Sequence, residues 1–148
     1  MITIVQRVSE AKVEVGGEVV GAIGPGLVAL AAVVKGDTEK EIEWTAAKLA
    51  CLRIFRSEGK HFDRDVREVG GSILLVSNFT VSAATKQGRR PSLSFAAEPS
   101  IAEGMFERLV EATRRQGVPV ETGRFAADMK VSLVNDGPAT FILDSAAP

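Results

Sequence analysis

Two short segments carry most of the polar side chains that could do chemistry. The first is Ser77-Asn78-Phe79-Thr80, which runs on to Gln87-Gly88-Arg89-Arg90-Pro91-Ser92. The second is Asn135-Asp136-Gly137-Pro138-Ala139-Thr140. Thr80 is the one hydroxyl of the first segment that invites a nucleophile role. A threonine hydroxyl at its ordinary pKa is a weak nucleophile without an adjacent base, and none is recognisable nearby. The alternative is that main-chain amides around Phe79 and Thr80 polarise a carbonyl, as an oxyanion hole does; each such donor is worth about 10²–10³ in rate. Thr80 is then a β-branched strand residue. The sets used by the common hydrolases are missing: the chain has no G-x-S-x-G elbow, no P-loop and no H-E-x-x-H. Its single histidine, His61, reads as part of a polar turn, and its single cysteine, Cys51, falls within a helix. These leave no internal disulfide and too few ligands for an ordinary zinc site, so no metal and no cofactor is expected.

The elements around these segments read as alternating strands and helices. Ile2, Ile4 and Val8 are interleaved with polar residues, and Gly16-Gly17 signals a hairpin between Lys12–Val15 and Glu18–Ile23. Leu27 to Val34 is a continuous apolar run of strand length, the pattern of a strand covered on both faces. Thr38 and Glu41 fit a capping box ahead of Ile42, Ala46, Leu49 and Leu52 at helical spacing. Gly70-Gly71 introduces an apolar strand over Ser72 to Val81. Ser100 and Glu103 repeat the capping signal before Met105, Leu109 and Ala112, and Arg114-Arg115 close that second helix where cations suit the helix dipole. Met129 to Val134 and Thr140 to Leu143 read as two strands that pair with each other across Asn135–Pro138, followed by a frayed tail from Ala146. The order implies one α/β layered domain over residues 1–148, with mixed sheets covered by two helices.

Composition bounds the function. With 148 residues, 45% of them hydrophobic, the chain can bury its own core. The N-terminus shows no leader, and the longest apolar run is far short of the roughly 20 residues a membrane-spanning helix needs, so a soluble, cytoplasmic protein is expected. A net charge of −1 and a pI near 5.9 argue against broad nucleic-acid binding, so any RNA contact has to be local. Lys86, Arg89 and Arg90 are the densest basic cluster; they suit phosphates or form a solvated loop.

At the two polar segments the chain resembles the D-aminoacyl-tRNA deacylase family, whose members usually read Ser-Gln-Phe-Thr and Asn-Asp-Gly-Pro-Val-Thr there. The resemblance spans the chain. It includes Gln6-Arg7-Val8, Gly70-Gly71, Gly88, Arg90-Pro91-Ser92 and Thr122-Gly123-Arg124-Phe125 to Met129. It implies a three-layer α/β/β fold and metal-free hydrolysis of the ester of D-aminoacyl-tRNA, glycyl-tRNA included. It also implies a homodimer in which a cis Gly137-Pro138 peptide reaches into the partner subunit's pocket and meets the acceptor end of the tRNA. On this basis Ser77, Asn78, Phe79 and Thr80 form the catalytic segment, with the tRNA's terminal 2′-hydroxyl or a positioned water supplying the proton traffic. Gly137, Pro138 and Arg7 set chirality, and Lys86, Arg89 and Arg90 meet the tRNA. Arg7 is implied to orient the Gly-Pro unit through its forked guanidinium; alone it reads as a solvated strand arginine, as Asn135–Pro138 alone reads as a plain turn. Phe79 suits stacking on the terminal adenine and equally suits a core.

The chemistry explains why backbone geometry is asked to do this. D and L isomers bury the same area, and even a missing methylene changes specificity only about 10–200-fold, so a hydrophobic pocket cannot separate them. Carbonyls held in a fixed direction can accept from the α-ammonium and leave no space for a side chain on the L side. The chain departs from the family pattern at Asn78 for glutamine, at Ala84, at Leu93 and at Ala139, which implies a slightly altered pocket. Two other functions fit the same residues: an editing relative with relaxed chirality, and a catalytically silent RNA- or protein-binding dimer.

Overall fold

The structure is a computed structural model that describes residues 1–147. In chain order it contains β1 (Ile2–Val15), β2 (Glu18–Ile23), β3 (Gly26–Ala32), α1 (Glu39–Cys51), β4 (Phe55–Ser57), β5 (Lys60–Arg64) and β6 (Ser72–Ser77). A 3₁₀ turn (Phe79–Ser82), α2 (Pro99–Arg115), β7 (Val120–Thr122) and β8 (Lys130–Asp144) follow. No helix is long and apolar enough to cross a membrane, among the described residues.

β1 is the hub of the sheet. One edge pairs with β8 along nearly its whole length; the other is shared by β3, which meets residues 2–8, and β2, which meets residues 11–15. β3, β6 and β7 run parallel to one another. Two apolar layers result. On one side α1 and α2 bury Ile42, Leu49, Met105 and Leu109 against Leu27, Ala29, Ile73 and Leu75 of the sheet. On the other, Val8, Ala11, Val13 and Ile23 fold over Val28, Leu74 and Val76. The middle strands β3 and β6 are therefore covered twice, which is why their sequences do not alternate. The closure needs Gly21, where a Cβ would stand 2.2 Å from the Thr122 carbonyl oxygen.

Several elements follow the sequence-based expectation. Gly16 and Gly17 both take positive φ in the β1–β2 turn, the conformation that only glycine adopts cheaply. The Thr38–Glu41 capping box is formed, with the Glu41 carboxylate accepting from the Thr38 amide at 2.7 Å. Hydrogen bonds from Thr38 also hold the Glu41 carboxyl below its ordinary pKa.

Others differ, for local reasons. In the first half of β1 Thr3, Val5 and Arg7 are buried along with Val8, while Ile2 and Ile4 are half-buried. β6 stops at Ser77, not Val81: its partner β3 turns away, the Asn78 amide makes a last bond to Ala31 O at 2.8 Å, and the chain tightens into the 3₁₀ turn holding Thr80. α2 starts at Pro99 instead of being capped by Ser100. Proline lacks the N–H that the first turn leaves unpaired anyway, and the Ile101 and Ala102 amides both reach Glu98 O. His61 lies in strand β5, not in a turn. The two halves of the last segment do not pair with each other; both pair with β1, and β8 is one strand. The tail begins as a turn, with the Ala146 and Ala147 amides bonded to Asp144; the expected fraying at Pro148 lies outside the described residues.

Candidate active site

The motif residues fall in two structures that are separate within the chain. The first is a cleft of about 560 Å³ between the end of β6, the start of α2 and the 125–129 segment. Ser77, Asn78 and Phe79 line it together with Phe125, Met129 and Leu93. Phe79 is 55% exposed, so the choice between core and stacking residue falls against the core. Thr80 does not line the cleft; its hydroxyl donates to Asn78 Oδ1 at 2.5 Å. An amide oxygen cannot take up that proton near neutral pH, so this contact does not activate the hydroxyl. The Val81 amide bonds back to Asn78 O, whereas the Phe79 and Thr80 amides find no protein acceptor among the described residues.

The second structure is a bulge in β8. Between the Gln6–Thr140 and Val8–Asn135 pairs, Asp136, Gly137, Pro138 and Ala139 stand opposite Arg7 alone. The segment read as a plain turn is thus an expansion of a strand, and its Gly137–Pro138 peptide bond is cis. Arg7 is 3% exposed, not solvated. Its Nε donates to Asp136 O at 2.8 Å and its Nη1 to Ile54 O at 2.5 Å. From the other side Asn135 Nδ2 donates to Arg7 O at 2.9 Å and Ala139 O at 3.2 Å. Burial holds the Arg7 pKa below the usual arginine value, Arg56 adds to that by repulsion, and Asp136 opposes it. The Arg7 guanidinium also lies 5.9 Å from the Phe62 ring centre, and Phe62 meets Phe141 edge-on at 5.8 Å.

Lys86, Arg89 and Arg90 are exposed on a loop closed by two main-chain bonds between Ala84 and Ser92, and none of them pairs with an acid among the described residues. They lie outside the cleft lining, as do Arg7, Gly137 and Pro138. No cluster of His, Cys, Asp and Glu side chains suited to a metal ion occurs among the described residues.

Comparison with known proteins places this arrangement. The family model described as D-Tyr-tRNA(Tyr) deacylase matches residues 4–144. The chain belongs to this deacylase family. It is 52% identical over 145 residues to the D-aminoacyl-tRNA deacylase of Geobacter sulfurreducens, covering 98% of this chain and 95% of that one. It is 51% identical over 146 residues to that of Paracoccus denitrificans, covering 99% and 98%. Among solved structures, the c-Myc DNA Unwinding Element Binding Protein superposes with a TM-score of 0.93 at 38% identity, over 99% of this chain and all of that one. A probable eukaryotic D-amino acid tRNA deacylase shares the fold, with a TM-score of 0.83 at 15% identity over 96% and 97% of the two chains.

Set in the deacylase fold, sequence reasoning overlooked several groups. Lys35, Glu98 and Asp128 bring charge to the cleft wall, and Arg56 and Phe62 flank the bulge. Asp128 lies inside the Thr122–Met129 run that carried the resemblance, so its position was legible. The others sit in stretches without a local signal, and only long-range packing brings them to these places.

Proposed function

We propose that this chain, as a single domain over residues 1–148, hydrolyses the ester bond of D-aminoacyl-tRNA and of glycyl-tRNA in the cytoplasm and spares L-aminoacyl-tRNA. The observation that carries the reading is the pair of unpartnered main-chain amides at Phe79 and Thr80 beside a cleft lined mainly by apolar side chains. Donors fixed in this way stabilise the charge that develops on an ester oxygen without having to reorganise. The aminoacyl ester is labile: a water adds to the ester carbonyl, the ribose oxygen leaves, and the tRNA's own 2′-hydroxyl or a positioned water carries the proton from the attacking water to that leaving oxygen. Phe79 stacks on the terminal adenine, Ser77 and Asn78 shape the cleft wall, and Lys86, Arg89 and Arg90 hold tRNA phosphates.

In this reading the enzyme is a twofold dimer and the bulge of one subunit enters the cleft of the other. Two features support that. Gly137 and Pro138 are exposed and do not line the cleft of their own chain. β8 is a 15-residue edge strand with β1 on one side only and with Val131, Val134 and Ile142 exposed. So long an open edge is a template for pairing. Main-chain carbonyls of the bulge then accept from the substrate's α-ammonium, and an L side chain has no space.

The deciding experiment charges one tRNA in turn with D-tyrosine, L-tyrosine and glycine and follows deacylation by chelator-treated protein against a no-enzyme control. The expected result is rapid loss of D-tyrosine and glycine with L-tyrosine retained. Loss of both tyrosine isomers points to a relaxed editing relative. A binding role without catalysis is the second reading, favoured by the name of the 38%-identical structural neighbour, a DNA unwinding element binding protein; tRNA or DNA binding with no deacylation would establish it. Thr80→Ala is expected to keep most of the deacylation rate, because its hydroxyl contacts an amide and no base. Complete loss of activity in a folded Thr80→Ala dimer would instead make Thr80 the nucleophile.

A further inference from the structure

The Asp136 carboxylate lies between two guanidinium groups that reach it from different elements. Arg7, on β1, stands 3.4 Å from Oδ2 through Nε, and that same Nε donates to the Asp136 main-chain oxygen. Arg56, on β4, places Nη1 3.0 Å from each carboxylate oxygen. Arg7 therefore grips the main chain of Asp136 and Arg56 its side chain. A segment held at one point pivots about it; holding both the side chain and the carbonyl of one residue removes that freedom. Gly137, the next residue, has no side chain through which to be held, so the direction of Gly137–Pro138 depends on its neighbours.

We infer that Arg56 is a positioning residue for the reaction: by clamping Asp136 it sets the direction in which Gly137 and Pro138 project, and so the stringency with which an L-aminoacyl ester is refused. The inference rests on the deacylase reading above. Arg56 and Asp136 are 48% and 44% exposed, while Arg7 is buried. Salt screens the outer contact far more than the inner one. The two arginines also share one carboxylate, so the Arg56 contact is the one that yields first when the field is weakened.

The test uses the full chain as wild type, Arg56→Ala, Arg56→Lys and, as a control, Arg53→Ala; Arg53 lies just before the antiparallel β4–β5 hairpin and pairs with Asp63 on β5. Two quantities are read at low and high salt: the ratio of D- to L-tyrosyl-tRNA deacylation rates, and amide hydrogen exchange over residues 135–139. Both substrates carry the same tRNA, so the salt dependence of tRNA binding cancels in the ratio. Arg56→Ala is expected to lower the ratio about two- to fivefold, the range an exposed ion pair supports, and to speed exchange by a similar factor. Arg56→Lys should fall between, and Arg53→Ala should match wild type. The wild-type ratio should decline with salt, an arm that needs no substituted protein to fold, and the Arg56→Ala ratio should not. An unchanged ratio in Arg56→Ala overturns the assignment. If wild type shows no D-selective hydrolysis, the deacylase reading fails instead; exchange then decides the clamp, and unchanged exchange in Arg56→Ala overturns it as well.

Discussion

Arg7→Ala is expected to cost about 3 kcal/mol of folding stability and to lower the D-over-L ratio at least about tenfold. The residue is buried, and its removal leaves the carbonyls of Ile54 and Asp136 without the donors they have now. A buried polar group left unpaired costs roughly 1–3 kcal/mol, and two such groups reach the stated figure once the empty volume is included. The Asp136 carboxylate stays partly exposed and paired with Arg56, so no buried charge is stranded. For a domain of this size the change corresponds to a Tm lower by roughly 6–12 °C. Arg7→Lys keeps the charge but not the fork, and a single nitrogen cannot serve both carbonyls, so it should fall between wild type and alanine. Thermal unfolding and the two tyrosyl-tRNA rates check this. A folded Arg7→Ala protein with wild-type discrimination would remove Arg7 from the selectivity apparatus.

The second large effect is expected at Gly137. A Cβ there would stand 2.5 Å from Asn135 Oδ1 and 2.9 Å from the Ala139 amide nitrogen. The first neighbour is a side chain that cannot swing freely, because its Nδ2 holds both Arg7 O and Ala139 O. The second is main chain. Gly137→Ala therefore has to move the bulge itself, at a cost of about 1–3 kcal/mol, the usual range for overpacking. Because the bulge is small and exposed beside a sheet that stays intact, the protein should fold, with D-over-L discrimination reduced about tenfold or more. Melting temperature together with the D- and L-tyrosyl-tRNA rates separates the two effects. Preserved discrimination at lowered stability would make Gly137 a packing residue and no gate.

The contrast between Thr38 and Arg7 explains which parts of this fold were legible in the sequence. The capping box at Thr38 and Glu41 closes over three residues, so its partners stand in one local window and the pattern alone predicts it. The Gly16-Gly17 turn and the apolar run of β3 are local in the same sense. Arg7 and Asp136 are 129 positions apart, and nothing near either announces the other. The same distance misled the reading of Asn135–Pro138. Those residues suit a hairpin turn, and the two flanking strands would pair if β1 were not there. β1 offers both of them a continuous edge, and the misfit of four residues against one is absorbed as the bulge.

For the candidate site the division is similar. The motif residues and their order were enough to place the chain in its family and to single out Ser77–Thr80 and Asn135–Thr140. The sequence could not show that Thr80 turns away from the cleft, because that depends on where β3 releases β6. Nor could it show Arg56, a charged residue in a charged hairpin, until β4 was set beside the bulge. What the sequence by itself determined were features whose energy comes from near neighbours and whose local signals agree, such as the Thr38–Glu41 cap, the Gly16-Gly17 turn, the apolar run of β3 and the short motifs; where local signals compete, as at Pro99 and Ser100, it did not. The tertiary structure alone decided which of those motifs share a cleft, which arginine is buried and which strand edge stays open, because burial and register depend on surfaces contributed by distant parts of the chain.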